Sequence, residues 1–146
     1  MKIDFRFAKP SDAEEIQKLY QQLVNDKNIN VTTAGIKNLV EDRSNFLVVG
    51  ESEGQVVATA LFTLCRDVMY GDQPFAVIEN IVVSSNCRGS GYGSALMSHL
   101  KTLGREHRCT KIMLLSSASR SEAHTFFEKC GYRGDLKRGF VNYINR

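Results

Sequence analysis

Two stretches of this chain carry residue types that could do chemistry: Arg88-Gly89-Ser90-Gly91-Tyr92-Gly93 and, nearer the N-terminus, Glu79 inside an apolar run. Glycines let backbone approach a ligand closely, because no Cβ intervenes and a positive φ costs little. A helix that begins at the end of such a segment offers unpaired N–H groups and a partial positive charge, so several amides can converge on phosphate oxygens. Arg88 adds a fixed cation at the mouth. The combination suits a diphosphate. A glycine-rich turn with no ligand is the plain alternative, and the pattern alone does not separate the two.

Three phosphate-binding patterns compete for the segment. A P-loop needs Gly-Lys followed by Ser or Thr where the helix starts, and this chain has Gly93-Ser94 with no lysine there. A dinucleotide fingerprint read from Gly89 and Gly91 wants its third glycine where Ser94 stands. It also wants an acidic residue at the end of the next strand, which here reads Leu115-Ser116-Ser117. The acetyl-CoA loop, (Q/R)-x-x-G-x-(G/A), is satisfied by Arg88, Gly91 and Gly93. Acetyl transfer from a thioester to an amine needs a neutral nucleophile, so a general base must take a proton from the ammonium. Glu79, a carboxylate within an apolar strand, is the candidate, and burial there would raise its pKa. A glutamate merely paired with a lysine or arginine is the rival reading.

The elements that must position these residues follow from period and punctuation. Ile3, Phe5 and Phe7 alternate as in a half-buried strand. Ser11 and Glu14 have the spacing of a capping box, opening a helix with the stripe Ile16, Leu19, Tyr20, Leu23 and Val24. A second helix is expected from Thr32 or Thr33 towards Glu41. Strands over 46–49 and 55–64 flank a hairpin turn at Glu51-Ser52-Glu53-Gly54, and 75–83 reads as a buried strand. A helix with Ala95, Leu96, Leu100 and Leu103 follows the glycines. A short strand over 111–115, a helix over 122–130 ended by Gly131, and a last strand over 140–144 complete the order β-α-α-β-β-β-α-β-α-β. The order predicts an α/β fold, with a central twisted mixed sheet flanked by helices.

The whole chain limits the partners. Its 146 residues, 42% hydrophobic and 24% charged, suit a single globular domain over 1–146. A net charge of +3 with scattered cations, apart from Arg133, Lys137, Arg138 and Arg146, falls short of a nucleic-acid footprint. No apolar run approaches the ~20 residues of a membrane span, and Met1 to Phe5 lack a signal-peptide pattern. Cys65, Cys87, Cys109 and Cys130 show no C-x-x-C and no histidine at ligand spacing, so neither a metal site nor a disulfide framework is expected. The chain reads as cytoplasmic with reduced thiols. His99 and His107 read as surface residues, and His124 and Cys130 as packing residues.

Taken together, the stretch Ile78-Glu79-Asn80-Ile81-Val82-Val83, the five residues from Val83 to Arg88, and Phe126-Phe127-Glu128-Lys129-Cys130-Gly131-Tyr132 resemble the GNAT superfamily of N-acetyltransferases. Within it the chain is similar to small-molecule enzymes of the glucosamine-6-phosphate kind, and through Arg120 to Phe126 to aminoalkylphosphonate acetyltransferases. The resemblance implies that two parallel strands splay and admit pantetheine. Ile81, Val82 and Val83 then flank it, with the backbone groups of Ile81 and Val83 pairing like an added strand. It also implies that amides of Arg88, Gly89, Ser90, Gly91, Tyr92, Gly93 and Ser94 hold the pyrophosphate, that Glu79 matches the family's acidic residue, and that acetyl-CoA is the cosubstrate with no metal. The acceptor side would involve the first two helices and the loop Arg66 to Pro74.

Three positions depart from the family's pattern. Phe127 stands where a tyrosine usually donates a proton to the departing thiolate. Asn80 replaces an aspartate of the sugar-phosphate enzymes, and Arg120 replaces a common asparagine. Tyr92, Tyr132 and Tyr143 are the other available hydroxyls, each equally readable as a packing aromatic. The expected function is N-acetyl transfer to the primary amine of a small metabolite, with homodimerisation in view. A protein or peptide acetyltransferase and a degenerate acyl-CoA-binding module are the alternatives.

Overall fold

The computed structural model describes residues 2–145. Met1 and Arg146, the ends of the N-terminal pattern and of the C-terminal basic group, lie outside them. Two compact units divide at Leu114/Leu115.

The first unit carries β1 (Asp4–Phe7), α1 (Ala13–Leu23), α2 (Thr33–Glu41), β2 (Asn45–Ser52), β3 (Gln55–Cys65), β4 (Phe75–Val83), α3 (Tyr92–Glu106) and β5 (Ile112–Leu114). Its sheet runs in the order β1-β2-β3-β4-β5, antiparallel throughout except for the parallel β4–β5 pair. Between β2 and β3, Glu53 (φ 52°) and Gly54 (φ 77°) form a two-residue hairpin turn whose two positive φ values match the twist of the flanking strands.

Alternation along the strands sorts the core onto the two faces of the sheet. Leu47, Val49, Val56 and Val82 pack with Ile16 and Leu19 of α1 and Ile36 of α2. On the other face, Phe46 packs against Phe62 and His107, and Phe5 stacks on His99. Helix α3 covers this face with Leu96 and Leu100 fully buried, each such side chain contributing about 1.5–3 kcal/mol. His99 and His107 are therefore half-buried ring-packing residues, not surface ones.

The start of α1 also differs from the sequence reading. Ser11 and Glu14 form no capping box. A 3-10 turn, Pro10–Asp12, precedes the helix, and Asp12 Oδ2 accepts from Lys9 N–H at 2.7 Å. Asp12 is buried because Arg6 holds both its oxygens, at 2.8 and 2.9 Å, and Arg6 also bonds Glu51. The Asp12 carboxylate thus serves the Lys9 amide and the Arg6 guanidinium, and no side chain caps the first turn of α1. Helix α2 starts at Thr33, one of the two expected positions, and Thr32 caps it, accepting from Gly35 N–H at 2.9 Å.

The second unit contains α4 (Ser121–Lys129). Gly131 (φ 96°) ends it with paired bonds, Gly131 N–H to Glu128 O and Tyr132 N–H to Phe127 O, while the Phe127 and Tyr132 rings meet at 6.4 Å. The expected strand over 140–144 is absent: the segment has no ladder, and Phe140, Val141, Tyr143 and Ile144 are exposed. Apolar, β-prone side chains do not make a strand where the backbone groups find no neighbouring strand.

Candidate active site

Strand β4 is bordered by β3 along most of its length but by β5 only at its start. Pairing with β5 covers Ala76, Val77 and Ile78 and stops at Leu114. From Glu79 onward no strand of the described residues pairs with β4 on the β5 side, and that backbone edge is open to a further strand. The β3 side carries a bulge there, because Glu79 faces Leu61 and Val82 faces Thr59, so Asn80 and Ile81 stand against one residue. Asn80 takes φ 56°.

The bulge reverses which side each backbone group faces. Ala76 N–H donates to Lys111 O at 3.0 Å, on the β5 side, whereas Ser84 N–H donates to Val57 O at 2.7 Å, on the β3 side. In an unbroken strand, two residues an even number apart direct their N–H groups to the same side. The inserted residue switches that parity. Val82 then faces β3, with its side chain buried in the α1–α2 core, and Ile81 and Val83 present N–H and C=O to the open side. An extended ligand bearing amides could add there as a further strand.

The strand leads through Ser84 and the 3-10 turn Ser85–Cys87 into the glycine segment. Gly89 (φ 83°) and Gly91 (φ 85°) are both left-handed, and a Cβ on either would meet nothing within 4 Å. Here glycine serves conformation and leaves open space above the backbone. Gly91 is also the N-cap of α3, and no side chain caps that end. The first intrahelical bond is Ala95 N–H to Gly91 O, so the amides of Tyr92, Gly93 and Ser94 lack helical acceptors. Arg88, Gly89, Ser90 and Ser94 are exposed, and Ser90 Oγ donates to Cys87 O.

Tyr92 differs from its neighbours in having a buried side chain, 3% exposed, whose hydroxyl lies 2.9 Å from Ser52 Oγ. This bond ties the start of α3 to the end of β2. Sequence reading offered no sign of it, since Ser52 looked like one more turn residue. An extended arm ending in a diphosphate, as in CoA, fits the open edge and the uncapped turn together.

Glu79 shares the α1–α2 face with its cross-strand partner Leu61, which packs against that core. Glu79 is exposed, so the burial expected for it is not found, and any role rests on position. Burial pushes the Tyr20 phenol on α1 upward, against a smaller opposing effect of the Asn80 side chain. In the second unit, burial pushes the Tyr132 phenol up to about 12, and His124 Nε2 lies 2.9 Å from Ser117 O. Among the described residues no three His, Cys, Asp or Glu side chains are grouped to hold a metal ion, and no helix is long and apolar enough to cross a membrane.

Comparison with known proteins bears on this arrangement directly. The acetyltransferase (GNAT) family model matches residues 10–132. A curated glucosamine 6-phosphate N-acetyltransferase from Trypanosoma brucei brucei is 32% identical over 80 residues, 55% of this chain. The match spans about half of that relative, 52% of its length. A solved structure from Agrobacterium tumefaciens strain C58, assigned as an acetyltransferase, superposes with TM-score 0.89 at 28% identity, covering 97% of this chain and 99% of that one. Glucosamine-6-phosphate N-acetyltransferase from Arabidopsis thaliana has the same fold, with TM-score 0.82 at 22% identity over 99% of this chain and 100% of that one. The splayed strands, the bulge and the glycine turn lie within the matched span, and this chain belongs to the GNAT family of acetyltransferases.

Proposed function

We propose that the chain is an acetyl-CoA-dependent N-acetyltransferase acting on the primary amine of a small metabolite. The observation that carries this reading is the pairing of an open, parity-switched β4 edge with an uncapped glycine turn. Backbone groups of Ile81 and Val83 hold the pantetheine arm, and amides from Arg88 to Ser94 hold the pyrophosphate, with the Arg88 cation beside them. Acetyl-CoA, when bound, supplies an acetyl group activated as a thioester.

Glu79 is the base in this reading. It lies where β4 opens, on the face carrying α1 and α2, and takes a proton from the acceptor ammonium directly or through one water. An exposed carboxylate suits an acceptor that arrives from solvent. Phe127 has no proton to give, so no acid acts from that position.

The name of the Trypanosoma brucei brucei relative makes an amino-sugar phosphate the first acceptor to try. One domain over residues 1–146, a cytoplasmic location and a homodimer belong to the same reading. The free thiols of Cys65, Cys87, Cys109 and Cys130 accord with a reducing compartment. A thiol-release assay with acetyl-CoA and a panel of primary amines, glucosamine 6-phosphate among them, tests the proposal. Sustained CoA release with a small amine is expected. Acetylated protein lysine as the sole product would replace it with a protein acetyltransferase, and CoA binding without turnover on any amine would leave a binding module.

A further inference from the structure

Residues 88–91 are lightly held. Ser90 donates to Cys87 O through its N–H and its Oγ, and both left-handed glycines stand in open space. The placement of the segment is therefore set at its two ends. At the entry, Ser85 N–H donates to Gln22 Oε1 on α1 at 2.8 Å. At the exit, the Tyr92 amide is one of the three without a helical acceptor, while the Tyr92 hydroxyl lies 2.9 Å from Ser52 Oγ. One residue thus faces the ligand with its backbone and the interior with its side chain. Ser52 is there because of the period of β2: two-residue steps from Phe46 through Val48 place it on the sheet face that α3 covers. Both side chains are buried, so water does not replace either partner. The bond fixes where α3 begins relative to the end of β2, and the amides of Tyr92, Gly93 and Ser94 are aimed by that start.

We propose that Ser52 is a positioning residue for the glycine turn: its hydroxyl tethers Tyr92 and holds the free amides of α3 in the arrangement that a bound diphosphate requires. The inference rests on the acetyl-CoA reading of that turn. A Ser52 that served stability alone would leave the affinity of the folded protein unchanged.

Calorimetric titration with coenzyme A across a double-mutant cycle separates the two roles. Ser52→Ala and Tyr92→Phe each break the tether and leave one buried hydroxyl without its partner. Each should raise Kd about three- to tenfold, the size of one net hydrogen bond. The double variant strands neither hydroxyl, so it recovers part of the lost stability while the tether stays absent. Its Kd should remain raised by the factor seen in the single variants. A folded Ser52→Ala protein with wild-type Kd overturns the proposal. So does a double variant whose Kd returns to the wild-type value, which would trace the loss to a stranded hydroxyl, or rises by the product of the single factors, which would make the two groups independent. Wild-type protein that binds no coenzyme A sinks the acetyl-CoA reading and this inference together, an outcome distinct from an unaffected variant.

Discussion

The hydroxyl of Tyr92 and Oγ of Ser52 lie 2.9 Å apart in the protein interior, 40 residues apart in sequence, and join the first turn of α3 to the end of β2. Tyr92→Phe strands the Ser52 hydroxyl without a partner. We expect a loss of about 1–3 kcal/mol in unfolding free energy, measured by urea denaturation. Removing both hydroxyls, with Ser52→Ala added, should cost less than the sum of the single changes. Additive losses would show that the two groups are not coupled.

Gly91 is left-handed with open space around it, so alanine there meets no clash and pays only for its backbone. Gly91→Ala should cost about 1–2 kcal/mol of stability and weaken CoA binding several-fold, because the turn must rotate to relieve the strain. Alanine at Gly134, which has no left-handed φ and likewise meets nothing, is the control and should leave both quantities near wild type. Equal effects at the two positions would remove the special role of the turn.

Glu79→Gln keeps the shape of the side chain and removes its basicity. In the proposed mechanism kcat falls about 10²- to 10⁴-fold while KM for acetyl-CoA stays near its wild-type value. Glu106→Gln on α3 provides the comparison, and retained turnover in Glu79→Gln would move the base elsewhere.

The Arg6 guanidinium holds the Asp12 carboxyl below its ordinary range, against an opposing push from burial. A depressed folded-state pKa means the unfolded chain binds the proton first as pH falls. The stabilisation is present above the unfolded value, about 4, and is lost as pH drops through the depressed one. Unfolding free energy should therefore decline below about pH 4, and Asp12→Asn should flatten that decline while lowering stability at neutral pH. An unchanged acid slope in Asp12→Asn would assign it to other carboxylates.

Local pattern made much of this molecule legible. The bounds of β4, the positive φ of Gly54, the start of α2 at Thr33 and the Gly131 helix stop each follow from a few adjacent residues. What escaped depends on distant partners. Ser52 reads as a turn residue until Tyr92 reaches it from α3, and Asp12 reads as helix punctuation until Arg6 arrives from β1. The segment 140–144 fails for the same reason in reverse: its residues are apolar and β-prone, but a strand also needs a neighbour. At the candidate site the glycine turn was readable because glycine and helix start are local. The exposure of Glu79 was not, because β5 ends early.

The bulge at Asn80 makes register, more than identity, the property that β4 must keep. Three residues of β4 advance from Glu79 to Val82 while β3 advances only two, from Leu61 to Thr59, and both Leu61 and Val82 belong to the α1–α2 core. Straightening the strand at its full length would send Val82 to the opposite face and turn the amides of Ile81 and Val83 inward to β3. Deleting Asn80 as the strand straightens cancels that shift: Val82 follows Glu79 at the ordinary two-residue spacing of one face, and the two amides keep their side. Deletion of Asn80 should thus spare coenzyme A binding, and loss of binding in a folded deletion variant would show that the bulge serves more than register.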